Sequence, residues 1–218
     1  TFIDYLDVVK GSPGVTATAH KRMFDAIKRY GTHPVDDTDI RCVKLFEGQK
    51  YSRYDYFSKE FFGMDRTISK IMRYLHSASL RGEESRQILL LMGPVGAGKS
   101  ALLEHIKRAL ELSEPIYHIK DCPIREEPLH LVPRGLRPAF EEKLGVKIEG
   151  DLCPVCRWRL KNEHNGKYET MHVVRTGFSV RSRKGIGVVP PVDANTQDTS
   201  ILIGSEDISK LGKYSEDD

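Results

Sequence analysis

Residues Gly93-Pro94-Val95-Gly96-Ala97-Gly98-Lys99-Ser100 bring together the residue types that can hold a phosphate chain. Gly93, Gly96 and Gly98 let the backbone bend through conformations closed to other residues, so that successive N–H groups can face one anion. Lys99 sets an ammonium where it bridges β- and γ-phosphates, and the Ser100 hydroxyl, just ahead of Ala101, is placed to ligate magnesium. Lys99 is also the candidate catalytic residue, because its charge, together with magnesium, neutralises the transition state of phosphoryl transfer. A glycine-rich turn that binds nothing needs neither Lys nor Ser directly after its last glycine.

Two elements must hold this loop. The apolar run Leu89-Leu90-Leu91 predicts a buried strand, and Leu102, Leu103, Ile106, Ala109 and Leu110 predict one face of the helix behind it. That helix N-terminus adds free N–H groups and the positive end of a dipole. Pro115 to Lys120 reads as the next strand, and a strand–loop–helix–strand unit of this length implies a right-handed crossover and a parallel sheet. Upstream, Thr1 to Val9 has helical spacing and an abrupt start, which reads as a chain cut from something longer. Thr16 or Thr18 can cap a second helix ending at Gly31. Thr32 to Asp39 reads as a polar turn and Ile40 to Phe46 as a short strand. The aromatic cluster of Tyr51, Tyr54, Tyr56, Phe57, Phe61 and Phe62 has no basic groove around it and reads mostly as core. A helix through Ile68, Ile71, Met72 and Leu75 follows.

The chain has 218 residues, 39% hydrophobic and 30% charged, enough for an α/β domain with extensions. A net charge of +3 points to neither nucleic acid nor a membrane surface. No apolar run approaches membrane-spanning length and no signal pattern opens the chain, so a cytoplasmic location is expected. Four cysteines do not make a secreted disulfide framework.

Between Asp121 and Ser200 lie about eighty residues that a minimal nucleotide fold does not need. Leu136 to Leu144 can be helical. Cys153-Pro154-Val155-Cys156 is a knuckle that supplies half of a tetrahedral zinc site. His164 and His172 follow at a spacing that is not a zinc finger's, and Cys42 and Cys122 lie far off in sequence. Zinc at Cys153 and Cys156 is therefore possible, within one chain or shared between subunits, but a reduced thiol pair is the favoured reading. Arg175, Arg181, Arg183 and Lys184 read as a solvated face first and a subunit contact second; Val188 to Asp198 reads as an extended surface loop.

Taken together, Tyr54, Phe61-Phe62-Gly63-Met64, the Gly93–Ser100 loop, Pro115-Ile116-Tyr117, Glu127-Pro128-Leu129 and the run from Gly185-Ile186-Gly187 to Gln197-Asp198 resemble the AAA+ module of PrkA-type bacterial serine protein kinases. The resemblance covers nearly the whole chain. It implies a P-loop parallel sheet flanked by helices and ATP with Mg2+ as ligands. Phe62, Gly63 and Met64 would line the adenine pocket. It also implies a homo-oligomeric ring, and a protein substrate of the full-length protein. The expected division is 1–50 as an N-terminal helical extension, 51–120 as nucleotide-binding core, 121–200 as insertion and 201–218 as the start of a downstream core. Ile201 to Asp207 makes a poor Walker B strand, broken by Gly204, which leaves Glu206 and Asp207 weak candidates for the catalytic acid. Neither an H-R-D loop nor D-F-G is present. Two rival readings stay open: a nucleotide-sensing module that does not hydrolyse, and a zinc-containing nucleic-acid-binding module.

Overall fold

A computed structural model describes residues 1–35, 51–189 and Gly204. In chain order the elements are α1 (Phe2–Gly11), α2 (Ala19–Lys28), β1 (Thr32–Val35), β2 (Tyr51–Tyr54), α3 (Asp55–Ser58), α4 (Asp65–Ser79), α5 (Lys99–Glu111), β3 (Ile116–Ile119), α6 (Arg137–Leu144), α7 (Pro154–Asn162) and β4 (Val173–Thr176). They form two compact units, Ala17–Glu114 and Thr1–Thr16 with the described residues from Pro115 onward.

In the unit Ala17–Glu114, Thr18 caps α2 through its hydroxyl, which accepts from the Lys21 N–H. Phe24, Ala26 and Ile27 of α2 face Ile68, Ile71, Met72 and Leu75 of α4, and Leu102, Ile106 and Ala109 of α5 complete the same core. On α4 and α5 these are positions that helical periodicity marks as apolar, whereas on α2 the expected seam of Ala19, Met23, Ile27 and Tyr30 is replaced: only Ile27 of it is buried, Ala19 and Tyr30 are exposed, and Phe24 and Ala26 take the core face. Each large buried side chain contributes roughly 1.5–3 kcal/mol. Tyr54, Phe57 and Phe61 are buried there too, so most of the aromatic cluster is core, while Phe62 is 83% exposed. Arg53 donates from Nε to Asp65 Oδ1 at 3.1 Å and from Nη2 to Oδ2 at 3.3 Å. That two-pronged bond fixes the first turn of α4, where a carboxylate also suits the helix dipole.

Several expectations fail in this unit. Thr32–Val35 is a strand and not the start of a turn: it pairs antiparallel with Tyr51–Tyr54, from Thr32↔Tyr54 to Val35↔Tyr51. Pro34 is tolerated because a two-stranded ribbon is all edge. Second, Leu89–Leu91 is not a buried strand. It runs without strand pairing, with Ile88 94% and Leu90 73% exposed and only Leu91 packed against the core. A central strand needs ladder partners on both sides, and no described residue supplies them. Leu103, expected on the buried face of α5, is likewise exposed.

In the other unit, Thr1 and Asp4 form a reciprocal capping box at the start of α1. Phe2, Tyr5 and Val9 enter a core with Ile119, Leu129, Leu131, Val132, Leu144 and Met171. The Tyr5 hydroxyl donates to Glu127, and the Phe2 N–H donates to the Met171 carbonyl at 3.1 Å. β3 forms where expected, but its partner is β4, antiparallel, from Ile116↔Thr176 to Ile119↔Val173. Among the described residues all strand pairing is antiparallel, so the expected parallel sheet is not among it. Arg175, Arg181, Arg183 and Lys184 are exposed, as a solvated face requires. The expected strand Ile40–Phe46, Cys42, most of the Val188–Asp198 loop and the Ile201–Asp207 segment other than Gly204 lie outside the described residues.

Candidate functional site

The loop closes around two left-handed glycines. Gly96 has φ +81° and Gly98 has φ +78°, and Gly98 caps α5, whose first residue is Lys99. Side chains rarely adopt that conformation, so the sequence G-x-G-K is what lets the chain turn directly into the helix. The first turn of α5 leaves the N–H groups of Lys99, Ser100 and Ala101 outside the helical ladder. Ser100 and Ala101 are exposed on the open side of the loop, as are Gly93, Pro94, Val95 and Ala97. Lys99 folds back over the loop: its ammonium donates to the Gly93 carbonyl at 2.7 Å and the Pro94 carbonyl at 2.6 Å. The positive charge of Lys99 therefore sits over the loop's own carbonyls.

Phe62-Gly63-Met64 precedes α4, with Gly63 at φ +70°. This turn lies beside the loop: a Cβ placed on Gly98 would stand 3.6 Å from Met64 Sδ and 4.0 Å from the Phe61 ring. The structure thus brings Met64 and the loop together, adds Phe61 as the packed aromatic, and leaves the Phe62 ring in solvent. Phe61 is missing from the predicted site because an aromatic within a dense aromatic cluster carries no positional signal of its own.

A second cluster sits in the other unit. Cys122 follows β3 in a turn, Cys153 caps α7, and Cys156 lies in that helix's first turn. Their sulfurs and a carboxylate oxygen of Glu126 all lie within 4.8 Å of one another. Cys122 Sγ and Cys153 Sγ are 3.9 Å apart. Sulfur accepts backbone N–H groups at two points, Cys156 N–H to Cys153 Sγ at 3.3 Å and Glu126 N–H to Cys122 Sγ at 3.4 Å. Glu126 Oε1 accepts from the Cys153 N–H at 2.7 Å and meets His130 Nδ1 at 3.2 Å. His130 Nε2 donates to the Glu149 carbonyl at 2.6 Å. Glu126 Oε2 is buried with no hydrogen-bond partner. Such an orphan acceptor costs about 1–3 kcal/mol. Burial pushes the Cys156 thiol far above its ordinary range and the Cys153 thiol in the same direction.

The reading of Cys153 and Cys156 as an isolated pair therefore omits two neighbours. Cys122 was set aside as far off in sequence, since 31 residues separate it from Cys153 and only the fold closes that distance, and Glu126 was not considered at all. The repeated Cys-Pro dipeptide, Cys122-Pro123 and Cys153-Pro154, is the one sequence signal that could have linked them. His164 is outside the cluster, bonded through Nδ1 to Thr170 Oγ1 at 2.6 Å, and His172 is exposed.

The chain is 39% identical over 220 residues to the ATP-dependent protease PrkA of Bacillus subtilis, covering 98% of the chain and 33% of that protein. It is 32% identical over 227 residues to the serine/threonine kinase YeaG of Escherichia coli, covering all of the chain and 34% of that protein. An uncharacterized protein from the gldA 5′ region of Geobacillus stearothermophilus matches 40% of the chain at 29% identity. The chain thus spans about a third of the length of its two long relatives, both of which bear enzyme names. No solved structure matches it. No described helix is long and apolar enough to cross a membrane. The family model of the PrkA AAA domain matches residues 1–218 from end to end, and the chain belongs to that family.

Proposed function

We propose that this chain is the ATP-binding AAA+ module of a PrkA-type serine protein kinase. It binds Mg-ATP between Phe62-Gly63-Met64 and the Gly93–Ser100 loop, and the full-length protein hydrolyses the nucleotide. The observation that carries this reading is the loop itself: two left-handed glycines lead into the N-terminus of a 13-residue helix, with the Lys99 ammonium over the carbonyls of Gly93 and Pro94. Exposed N–H groups, a helix dipole and one ammonium converge where a triphosphate chain would lie. Incoming phosphate oxygens would take the ammonium from those two carbonyls, and the backbone amides would hold the remaining oxygens. Ser100 would hold magnesium, which when bound neutralises phosphate charge. Met64, with Phe61 behind it, would give the base an apolar wall, and the left-handed Gly63 would let the backbone approach the base closely.

The parallel sheet belongs to the same proposal. Leu89–Leu91 is apolar and followed by the loop, which is the order of a central P-loop strand. The names of the two long relatives, an ATP-dependent protease and a serine/threonine kinase, agree on a nucleotide-using protein and differ on the chemistry. Whole-protein activity, a ring assembly, a protein substrate and a cytoplasmic site of action are accordingly part of what is proposed.

The test is displacement of a fluorescent ATP analogue by ATP, with phosphate release measured alongside. Lys99→Ala should remove binding and leave the circular dichroism spectrum unchanged; retained affinity would sink the assignment. Tight binding without phosphate release, in the full-length protein as well, would turn the reading to a nucleotide-sensing module.

A further inference from the structure

From the geometry of Cys122, Glu126, Cys153 and Cys156 we infer a structural zinc site closed by four protein ligands, three thiolates and the Glu126 carboxylate. Four observations converge on it. The donor atoms all lie within 4.8 Å of one another. Zinc–sulfur bonds of about 2.3 Å at tetrahedral angles place two sulfurs roughly 3.8 Å apart. Cys122 Sγ and Cys153 Sγ stand 3.9 Å apart.

The carboxylate is already set as a ligand. Oε1 is engaged by the Cys153 N–H and faces His130, which orients the group, while Oε2 has no partner although the side chain is only 2% exposed. A bound cation supplies what that oxygen lacks, and the His130–Glu126 contact is the kind of outer bond that fixes a ligand's direction.

Two sulfurs accept backbone N–H bonds, and Cys153 and Cys156 sit at the N-terminus of the nine-residue helix α7. Amide donors and a positive helix end spread the negative charge that three thiolates and a carboxylate leave around a divalent ion. The ligands also join separate pieces of chain: Cys122 and Glu126 flank the turn after β3, and Cys153 and Cys156 open α7. Cys122 and Cys156 belong to the hydrophobic core of that unit. A site with four protein donors inside a core leaves no coordination position for substrate, so its role is to tie the β3 turn to α7. Zinc entry releases the three thiol protons to solvent and changes no oxidation state.

The test uses full-length protein produced in zinc-supplemented medium and freed of loose metal by gel filtration. Elemental analysis for zinc and iron should give about one zinc per chain, and a strong thiolate-competing chelator should release it with a fall in the apparent Tm. Replacing zinc with cobalt should give the visible bands of a tetrahedral ion and a near-ultraviolet thiolate band. In Cys122→Ser that thiolate band should drop by about a third, one thiolate of three, or the affinity should fall at least about tenfold. Glu126→Gln should weaken cobalt binding while keeping the thiolate band. If Cys122→Ser does not fold, the wild-type cobalt spectrum still decides. The inference is overturned by metal-free protein whose Tm ignores the chelator, by iron in place of zinc, or by a Cys122→Ser variant that binds metal as wild type does. It is also overturned by a thiol titration showing a disulfide within the cluster, which would make it a redox pair.

Discussion

The phosphate-loop region and the cysteine cluster are opposites in construction. The loop is one contiguous segment, open to solvent, and the unpaired apolar segment ahead of it keeps Ile88 and Leu90 exposed. The cluster is assembled from two segments about thirty residues apart, with Cys122, Glu126 and Cys156 buried and the donors turned on one another. An open ring of amides suits a ligand that comes and goes; a closed set of four donors suits one that stays. Within one chain the loop is written in local sequence, and the cluster exists only after folding.

The sharpest way to break that contrast is to strip metal from the cluster. The apparent Tm should fall by at least about 5 °C, since a loss of a few kcal/mol moves a domain of this size by that much, whereas the loop should keep its ATP affinity. Equal loss of both properties would mean that the two regions are not separable. Next in size, Ser100→Ala should lower ATP affinity about tenfold with magnesium present and barely change it with EDTA, because only the ion's ligand is lost. Titrations in the two buffers check this.

A smaller effect belongs to the support of the adenine segment. Asp65→Asn removes a charge from the Arg53–Asp65 pair, whose side chains are 16% and 17% exposed, and loosens the start of α4 just after Met64. ATP affinity should fall about two- to fivefold with little change in nucleotides lacking a purine, a preference that follows from the base wall and not the phosphates. The smallest effect is at Asp151. A hydrogen bond from Arg134 holds its carboxyl below the ordinary aspartate range. A depressed folded value means that the stabilisation is present at neutral pH and is lost as the pH falls through that value. Asp151→Asn should therefore be slightly less stable at pH 7, with the gap to wild type closing in acid. Both side chains are largely exposed, so the difference is small. Thermal melts across pH read it.

The sequence was most legible where function and local conformation coincide. The G-x-x-x-x-G-K-S run names its own turn, because left-handed glycines, a helix start and an ammonium follow from residue type. The helical seams of α4 and α5 were legible from their period, apart from Leu103, whose exposure is set by what packs against the helix, while on α2 the seam was misplaced: Phe24 and Ala26 are buried and Ala19 and Tyr30 are exposed. Strand pairing was less so. The apolar run Leu89–Leu91 was expected to be a buried strand and is not one, and β3 found β4, more than fifty residues later, as an antiparallel neighbour. Thr32–Val35 looked like a turn because His33 and Pro34 are poor strand residues, and the ribbon with Tyr51–Tyr54 overrode that preference. The cluster was half legible: Cys153 and Cys156 announce themselves by spacing, while Cys122 shares with Cys153 only a Cys-Pro dipeptide and Glu126 carries no signal at all.

The most direct test of the central claim is a calorimetric titration of this chain with ATP in magnesium, run in parallel on wild type and Lys99→Ala. Saturable binding at one site in the wild type, with at least about a hundredfold loss in Lys99→Ala, is the predicted result, since the ammonium's charge-assisted bonds to the phosphates are the strongest single contacts on offer. No heat in the wild type, or equal affinities in the two proteins, would contradict it.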